Sequence, residues 1–135
     1  KSSMTLVYPA IFHREDDTFW VEFPDLEGCH TYGNTINEAM ECAQEALFGY
    51  LISVMESGIE IPLPSDCKEI ECDADSCVTL VSCSINNYGN KRAVKKTLTI
   101  PAWLNERAEA LNINFSQLLQ DALLARIMQR DTRTF

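Results

Sequence analysis

The stretch FPDLEGCHTYGNTINEA, residues 23–39, decides how the first part of this chain is read. PDLEG (24–28) has the residues of a tight turn, with proline to set φ and glycine to allow a left-handed step. CHTYG (29–33) is short and alternating, a strand whose successive side chains point to opposite faces. Thr35 with Glu38 three residues later is a capping box, in which side chains satisfy the first orphan N–H groups of a helix. From there Ile36, Ala39, Met40, Ala43, Leu47, Tyr50, Leu51 and Val54 recur at three- and four-residue steps as one apolar stripe. Gly58 stands where a C′ glycine ends a helix. A strand running straight into an amphipathic helix predicts a sheet with that helix laid on one face.

Upstream, TLVYPAIF (5–12) and TFWVEF (18–23) flank the turn residues EDD (15–17), a hairpin signature. Phe19, Val21 and Phe23 share one face of the second strand, and Pro9 argues for an edge position or a bulge in the first. The fold is read from Met4 onward. Downstream, IPLPS (61–65) is extended and DCKEIECDADSC (66–77) is an acidic loop. CVTLVSCSI (77–85) is a further strand, which completes a β-β-β-α-β module over 4–87. The turn formers of NNYGNKR (86–92) mark a linker, placed at 88–93.

The linker is also where the charge changes sign. Residues 1–90 carry 3 Lys/Arg against 16 Asp/Glu, a net of −13. Residues 91–135 carry 8 against 4, a net of +4, and the two give the overall −9. Acidic surfaces repel nucleic acid and basic ones attract phosphate, so the two segments call for partners of opposite charge. With 46% hydrophobic and 23% charged residues, the 135-residue chain has the composition of a globular protein. Its longest apolar run, ALFGYLISVM (46–55), is too short to span a bilayer. No basic n-region with an apolar h-region opens the chain, so the expected location is cytoplasmic. Six cysteines without an export signal read as reduced thiols. Cys67, Cys72 and Cys77, spaced by five, lack the C-x2-C knuckle of zinc sites. No cofactor or metal is implied.

Residues 94–130 form a smaller unit. In VKKTLTI (94–100), Leu98 and Ile100 face one way and Lys95, Thr97 and Thr99 the other. Pro101 suits the first turn of a helix that carries Trp103, Leu104, Ala108 and Leu111. Asn114 caps a second helix, whose stripe is Phe115, Leu118, Leu119, Ala122, Leu123 and Ile127. One strand and two short helices cannot bury a sufficient core alone. A dimer that pairs two strands into an antiparallel ribbon under four helices would supply the missing contacts. Leu98, Ile100, Trp103, Phe115 and Leu119 are its expected dimerisation residues. The ribbon would present Lys95, Thr97 and Thr99, with Lys96 beside them, in a DNA major groove. The helix start at Asn114, Phe115 and Ser116 could hold a backbone phosphate. A helical hairpin used only for dimerisation is the plainer alternative, with Lys95 and Lys96 as an ordinary solvated edge.

Together, YPAIF (8–12), FPDLEGCHTYGNTINEA (23–39), EAL (45–47) and IPLPSD (61–66) resemble the HicB family, the antitoxins of HicA–HicB toxin–antitoxin pairs. KKTLTIPAWLNERAEALNINFSQLLQDAL (95–123) resembles the ribbon-helix-helix domain that some members carry. The sequence departs from the commoner pattern at Glu27, where many relatives have proline, and in the Cys-containing insert at 67–77. The resemblance implies an α+β protein: a truncated RNase H-like domain, then a ribbon-helix-helix domain at 94–130. It implies an antitoxin that neutralises a small RNA-cleaving HicA-type toxin and represses its own operon through the carboxyl domain. The expected assembly is the ribbon homodimer, or a tetramer built from two such dimers or from additional amino-domain contacts. Glu22, Asp25, Glu27, His30 and Tyr32 are then the candidate toxin contacts.

Two other classes compete. A metal-dependent RNase H-like nuclease needs several carboxylates converging on divalent metal. Asp25 and Glu27 sit at a turn to which no other segment visibly returns an acid. Cys29 and His30 are neighbours on a strand and cannot form a nucleophile–base pair with each other. A free-standing transcription regulator with a ligand-sensing amino domain is the third reading. Masking a basic toxin with an acidic domain needs no chemistry in this chain, so the expectation is a binding protein and not an enzyme.

Overall fold

A computed structural model of the chain describes residues 4–85 and 94–132, with side chains as far as Met128. The expected linker at 88–93 lies outside the described residues. Four strands form one antiparallel sheet: β1 (Met4–Glu15), β2 (Thr18–Glu22), β3 (His30–Gly33) and β4 (Ser76–Ile85), in the order β3-β2-β1-β4. Helix α1 (Ile36–Glu56) lies on one face of it. Helices α2 (Ala102–Ala110) and α3 (Phe115–Thr132) follow.

The β1–β2 hairpin closes on Glu15 and Thr18 across a two-residue loop in which Asp16 takes φ 57°. Such a loop is flanked by a hydrogen-bonded pair, so the odd-numbered residues of β1 bond toward β2 and the even-numbered ones toward β4. This parity explains Pro9. The residue lies on a central strand, not at the edge or bulge expected for it. Its missing N–H points to the β2 side, where pairing begins only at Ile11.

Alternation along the strands sorts the core. Tyr8, Ala10 and Phe12 of β1, Val21 of β2, and Val81, Cys83 and Ile85 of β4 are all buried. They meet Ala39, Ala43, Leu47 and Leu51, the innermost line of the α1 stripe at four-residue spacing. Full burial of a leucine side chain is worth about 1.5–3 kcal/mol, so Leu47 and Leu51 anchor the helix to the sheet. Thr35 Oγ1 accepts from the Glu38 N–H at 3.0 Å. The Glu38 carboxylate reaches back to the N–H of Asn34, one residue earlier than a capping box requires. At the other end Gly58 (φ 75°) donates to Met55 O and Ile59 donates to Val54 O, a Schellman closure. The strand-to-helix corner is tight at Gly33, where a Cβ would stand 2.3 Å from Ala39 N.

In the second unit, residues 94–100, expected to pair with the same segment of a second copy, pair with no strand among the described residues of this chain, and all seven are exposed. Pro101 is the N-cap of α2 rather than part of its first turn. The other local signals hold. Asn112 (φ 58°) closes α2 through bonds from Asn112 N to Glu109 O and Ile113 N to Ala108 O. Asn114 Oδ1 accepts from Gln117 N at 3.0 Å and caps α3. Far along α3, Met128 is buried in the main core cluster and Leu124 packs against it, so the second unit shares part of the first unit's core.

Candidate partner-binding surfaces

The turn between β2 and β3 folds on its own backbone. Leu26 N donates to Phe23 O, Cys29 N to Leu26 O and Phe23 N to Cys29 O, which turns Phe23, Leu26 and Cys29 inward. Asp25 and Glu27 alternate outward between them. Only Glu27 is free for a partner. Asp25 accepts from the Ser65 N–H at 2.9 Å and from the Ser65 hydroxyl at 2.5 Å, tying the turn to the extended 61–65 segment. A second tie, from the Tyr8 hydroxyl to Pro62 O, holds the same segment. Ser65 carried no signal in the sequence, because its partner lies 40 residues away.

Cys29 and His30 part as the strand geometry requires. Cys29 is buried and donates to Ala46 O at 3.7 Å, whereas His30 is exposed. Burial pushes the Cys29 thiol up to about 11, and Cys83 likewise. Both are core thiols whose burial disfavours the thiolate form. All six cysteines are free. Among the described residues, no three His, Cys, Asp or Glu side chains gather as a metal site would require.

The sheet face turned away from α1 gathers most of the candidate contacts. Glu22 stands opposite His30 and Trp20 opposite Tyr32, so all four project from one side. The Glu22 carboxylate meets His13 Nε2 at 2.7 Å, and His13 stacks on Trp20 with ring centroids 4.1 Å apart. His13 Nδ1 lies 2.9 Å from Ser76 Oγ, and Ser76 Oγ gives its hydrogen to Asp73 Oδ1 at 2.8 Å. A serine hydroxyl has one hydrogen, so while it is held by Asp73 it cannot be drawn off by His13. This row is a clasp across β2, β1 and β4 onto the acidic loop. Beside it the same face shows Tyr32 at 63% exposure, Leu80 at 56% and Val7 at 39%. Apolar side chains sharing a face with Glu22 and His30 suit a protein partner. Sequence reasoning named Glu22, His30 and Tyr32 but missed His13, Trp20 and Leu80. Their alternation was readable, yet which face α1 leaves open was not.

The residues expected at DNA are all accessible. Lys95, Lys96, Thr97 and Thr99 lie on the exposed 94–100 segment, and Asn114, Phe115 and Ser116 are exposed at the start of α3. Of the expected dimerisation residues, Leu98, Ile100, Trp103 and Phe115 are exposed, with Trp103 at 65%, and Leu119 is half-buried. No helix among the described residues is long and apolar enough to cross a membrane.

Comparison with known proteins agrees with this architecture. A protein of Haemophilus phage HP1, described as an uncharacterized 14.9 kDa protein of the rep–hol intergenic region, is 29% identical over 107 residues. That match spans 77% of this chain and 80% of the phage protein. Among solved structures, a chain of a toxin–antitoxin complex from Streptococcus pneumoniae is 33% identical with a TM-score of 0.61. The match covers 91% of this chain and 99% of that one. A chain of the HicA3 and HicB3 toxin–antitoxin complex matches at 25% identity and TM-score 0.50, over 58% of this chain and 98% of its own. The sequence pattern of the HicB-like antitoxins matches residues 8–127, which takes in both the sheet unit and α2–α3. The chain belongs to the HicB-like antitoxin family of bacterial toxin–antitoxin systems.

Proposed function

We propose that this chain binds and neutralises a small basic RNA-cleaving toxin of the HicA type and represses its own operon by binding operator DNA. The observation that carries the reading is the charge split within one family-matched chain: −13 over residues 1–90 and +4 over 91–135. An RNA-cleaving toxin must present a cationic surface to a polyanion. An acidic sheet unit can occupy that surface and exclude the RNA, with electrostatic steering speeding the encounter. Glu22, Glu27, His30 and Tyr32 are the proposed contacts, while Asp25 contributes chiefly by shaping the turn.

The DNA half of the proposal rests on the second unit. Its exposed apolar side chains need a cover, and a second copy contributing an identical strand and two helices supplies one. Leu98, Ile100, Trp103, Phe115 and Leu119 would line that ribbon-helix-helix interface, and a tetramer would follow if the sheet units also associate. Lys95, Lys96, Thr97 and Thr99 would then face the groove, with Asn114, Phe115 and Ser116 at a phosphate.

Two assays test the halves separately. The purified chain should block RNA cleavage by a HicA-type toxin. It should also shift DNA containing its own promoter, and Lys95→Ala/Thr97→Ala/Thr99→Ala should abolish that shift without loss of fold, since a good base contact is worth about 1–3 kcal/mol. RNA cut at an undiminished rate in the presence of excess chain would refute the antitoxin half. Unchanged operator affinity in the triple variant would refute the ribbon assignment.

A further inference from the structure

Among the described residues β4 is an edge strand, at the opposite side of the sheet from β3. An edge strand is a template for further pairing, and proteins normally blunt it with charge, proline or a bulge. Here the ten residues SCVTLVSCSI (76–85) contain no charged side chain and no proline.

The direction of each backbone group on this strand follows from the hairpin parity. Even-numbered residues of β1 bond to β4 through Tyr8↔Val81, Ala10↔Thr79 and Phe12↔Cys77, so Val78, Leu80, Ser82 and Ser84 point their N–H and C=O groups outward. Two side observations agree. The Gln44 amide reaches out from α1 to donate to Ser82 O at 3.0 Å. Ser76, of the same parity, sends its N–H away from β1 to Asp73 O at 3.2 Å. The acidic loop therefore covers the start of the edge and stops there. Among the described residues, nothing pairs with the N–H groups of Val78, Leu80, Ser82 and Ser84.

Alongside this edge runs an open groove of about 350 Å³, floored by Phe48 and Cys83. Among the described residues its charged lining residues are Glu41 and Glu45 of α1. Along a helix, residues four apart rise by about 6 Å. Along a strand, residues two apart are separated by about 6.6 Å. The two carboxylates thus match two alternate cations on an extended chain.

We propose that the β4 edge receives a strand of the cationic toxin by β-augmentation. That strand would carry Lys or Arg at alternate positions toward Glu41 and Glu45, and apolar side chains on its other face toward Val78 and Leu80. The assignment rests on the antitoxin reading above and adds to the contacts proposed around Glu22, Glu27, His30 and Tyr32 a second one, at the opposite edge of the same sheet. A second copy fits worse, because β4 pairing with itself about a twofold axis would confront two Glu41–Glu45 pairs from already acidic units.

Residue-resolved hydrogen exchange on the full chain, alone and with a purified HicA-type toxin, tests this directly. In the complex the Val78, Leu80, Ser82 and Ser84 amides should slow by roughly tenfold or more, while Thr79, Val81 and Cys83, already paired with β1, change little. Glu41→Lys/Glu45→Lys should weaken toxin binding by roughly tenfold or more at low salt, with the loss shrinking as salt rises. If the toxin binds the wild-type chain and the four alternate amides exchange as before, the edge assignment is wrong and the antitoxin reading stands. Concentration-dependent protection of the same amides without toxin would instead assign the edge to a second copy and overturn the proposal. Failure of the wild-type chain to bind toxin at all removes the antitoxin reading and this assignment with it.

Discussion

Gly33 is the last residue of β3, and a Cβ there would overlap the backbone of Ala39, not a side chain that could swing aside. Gly33→Ala must push α1 off the sheet corner, and overpacking of this kind typically costs about 1–3 kcal/mol. Urea unfolding should show a lowered midpoint with little change in slope. An unchanged midpoint would mean that the corner has slack that the backbone distances do not suggest. Eight and six residues upstream, Asp25 and Glu27 look alike in sequence and differ in duty. Asp25 spends both oxygens on Ser65, whereas Glu27 is exposed and free. Asp25→Ala should therefore cost stability, on the order of 1 kcal/mol for a solvent-exposed pair of bonds to a carboxylate. Its effect on toxin affinity should be small. Glu27→Lys should do the reverse, leaving the melting temperature unchanged and weakening toxin binding most at low salt. A swap of these two outcomes in thermal melts and binding titrations would return Asp25 to the list of direct contacts.

At the level of elements, what could be read in the sequence was whatever is decided within about one turn of chain. The Thr35 cap, the α1 stripe, the Gly58 closure and the Asn114 cap are all local agreements between neighbouring residues, and each is present in the fold. Legibility ended where the partner is distant. Pro9 reads as an edge or bulge residue because its tolerance depends on where β2 stops, which β1 does not encode. The clasp of His13, Glu22 and Ser76 spans 63 residues and left no spacing signal. The segment 94–100 is the extreme case, since it alternates like a strand and yet pairs with nothing described in its own chain. Its proposed partner is the same segment of a second copy. In that ribbon Leu98 would be inward, and Leu98→Asp would bury an unpaired charge at the dimer centre. Sedimentation should show the variant one step lower in assembly state than the wild type, with operator binding lost through unpaired half-sites. A variant that sediments as the wild type does and still shifts its operator would rule out Leu98 as a ribbon contact.

For the molecule as a whole, the central issue is whether its two charged regions work independently. Residues 4–90 hold the complete sheet, α1 and nearly all of the acidity, together with every proposed toxin contact and the β4 edge. Every proposed DNA contact lies beyond them. The division is not perfect, because Met128 is buried in the core cluster and Leu124 packs against it. Cutting the chain at residue 90 uncovers that patch, and loss of a buried methionine contact should lower stability by about 1.5–3 kcal/mol at most, the value of fully burying such a side chain. The fragment should still fold, with a reduced melting temperature. It should protect RNA from a HicA-type toxin nearly as well as the full chain does per binding site, because masking a cationic surface requires only the acidic unit. It should show no shift with operator DNA at any salt concentration. The measurement is an RNA-cleavage assay with toxin and either the full chain or the fragment, run beside a gel shift and a thermal melt. A fragment that melts cooperatively and still leaves the RNA unprotected would place α3, or the dimer it helps to build, inside the toxin-binding surface. The acidic unit would then be only half of the inhibitor.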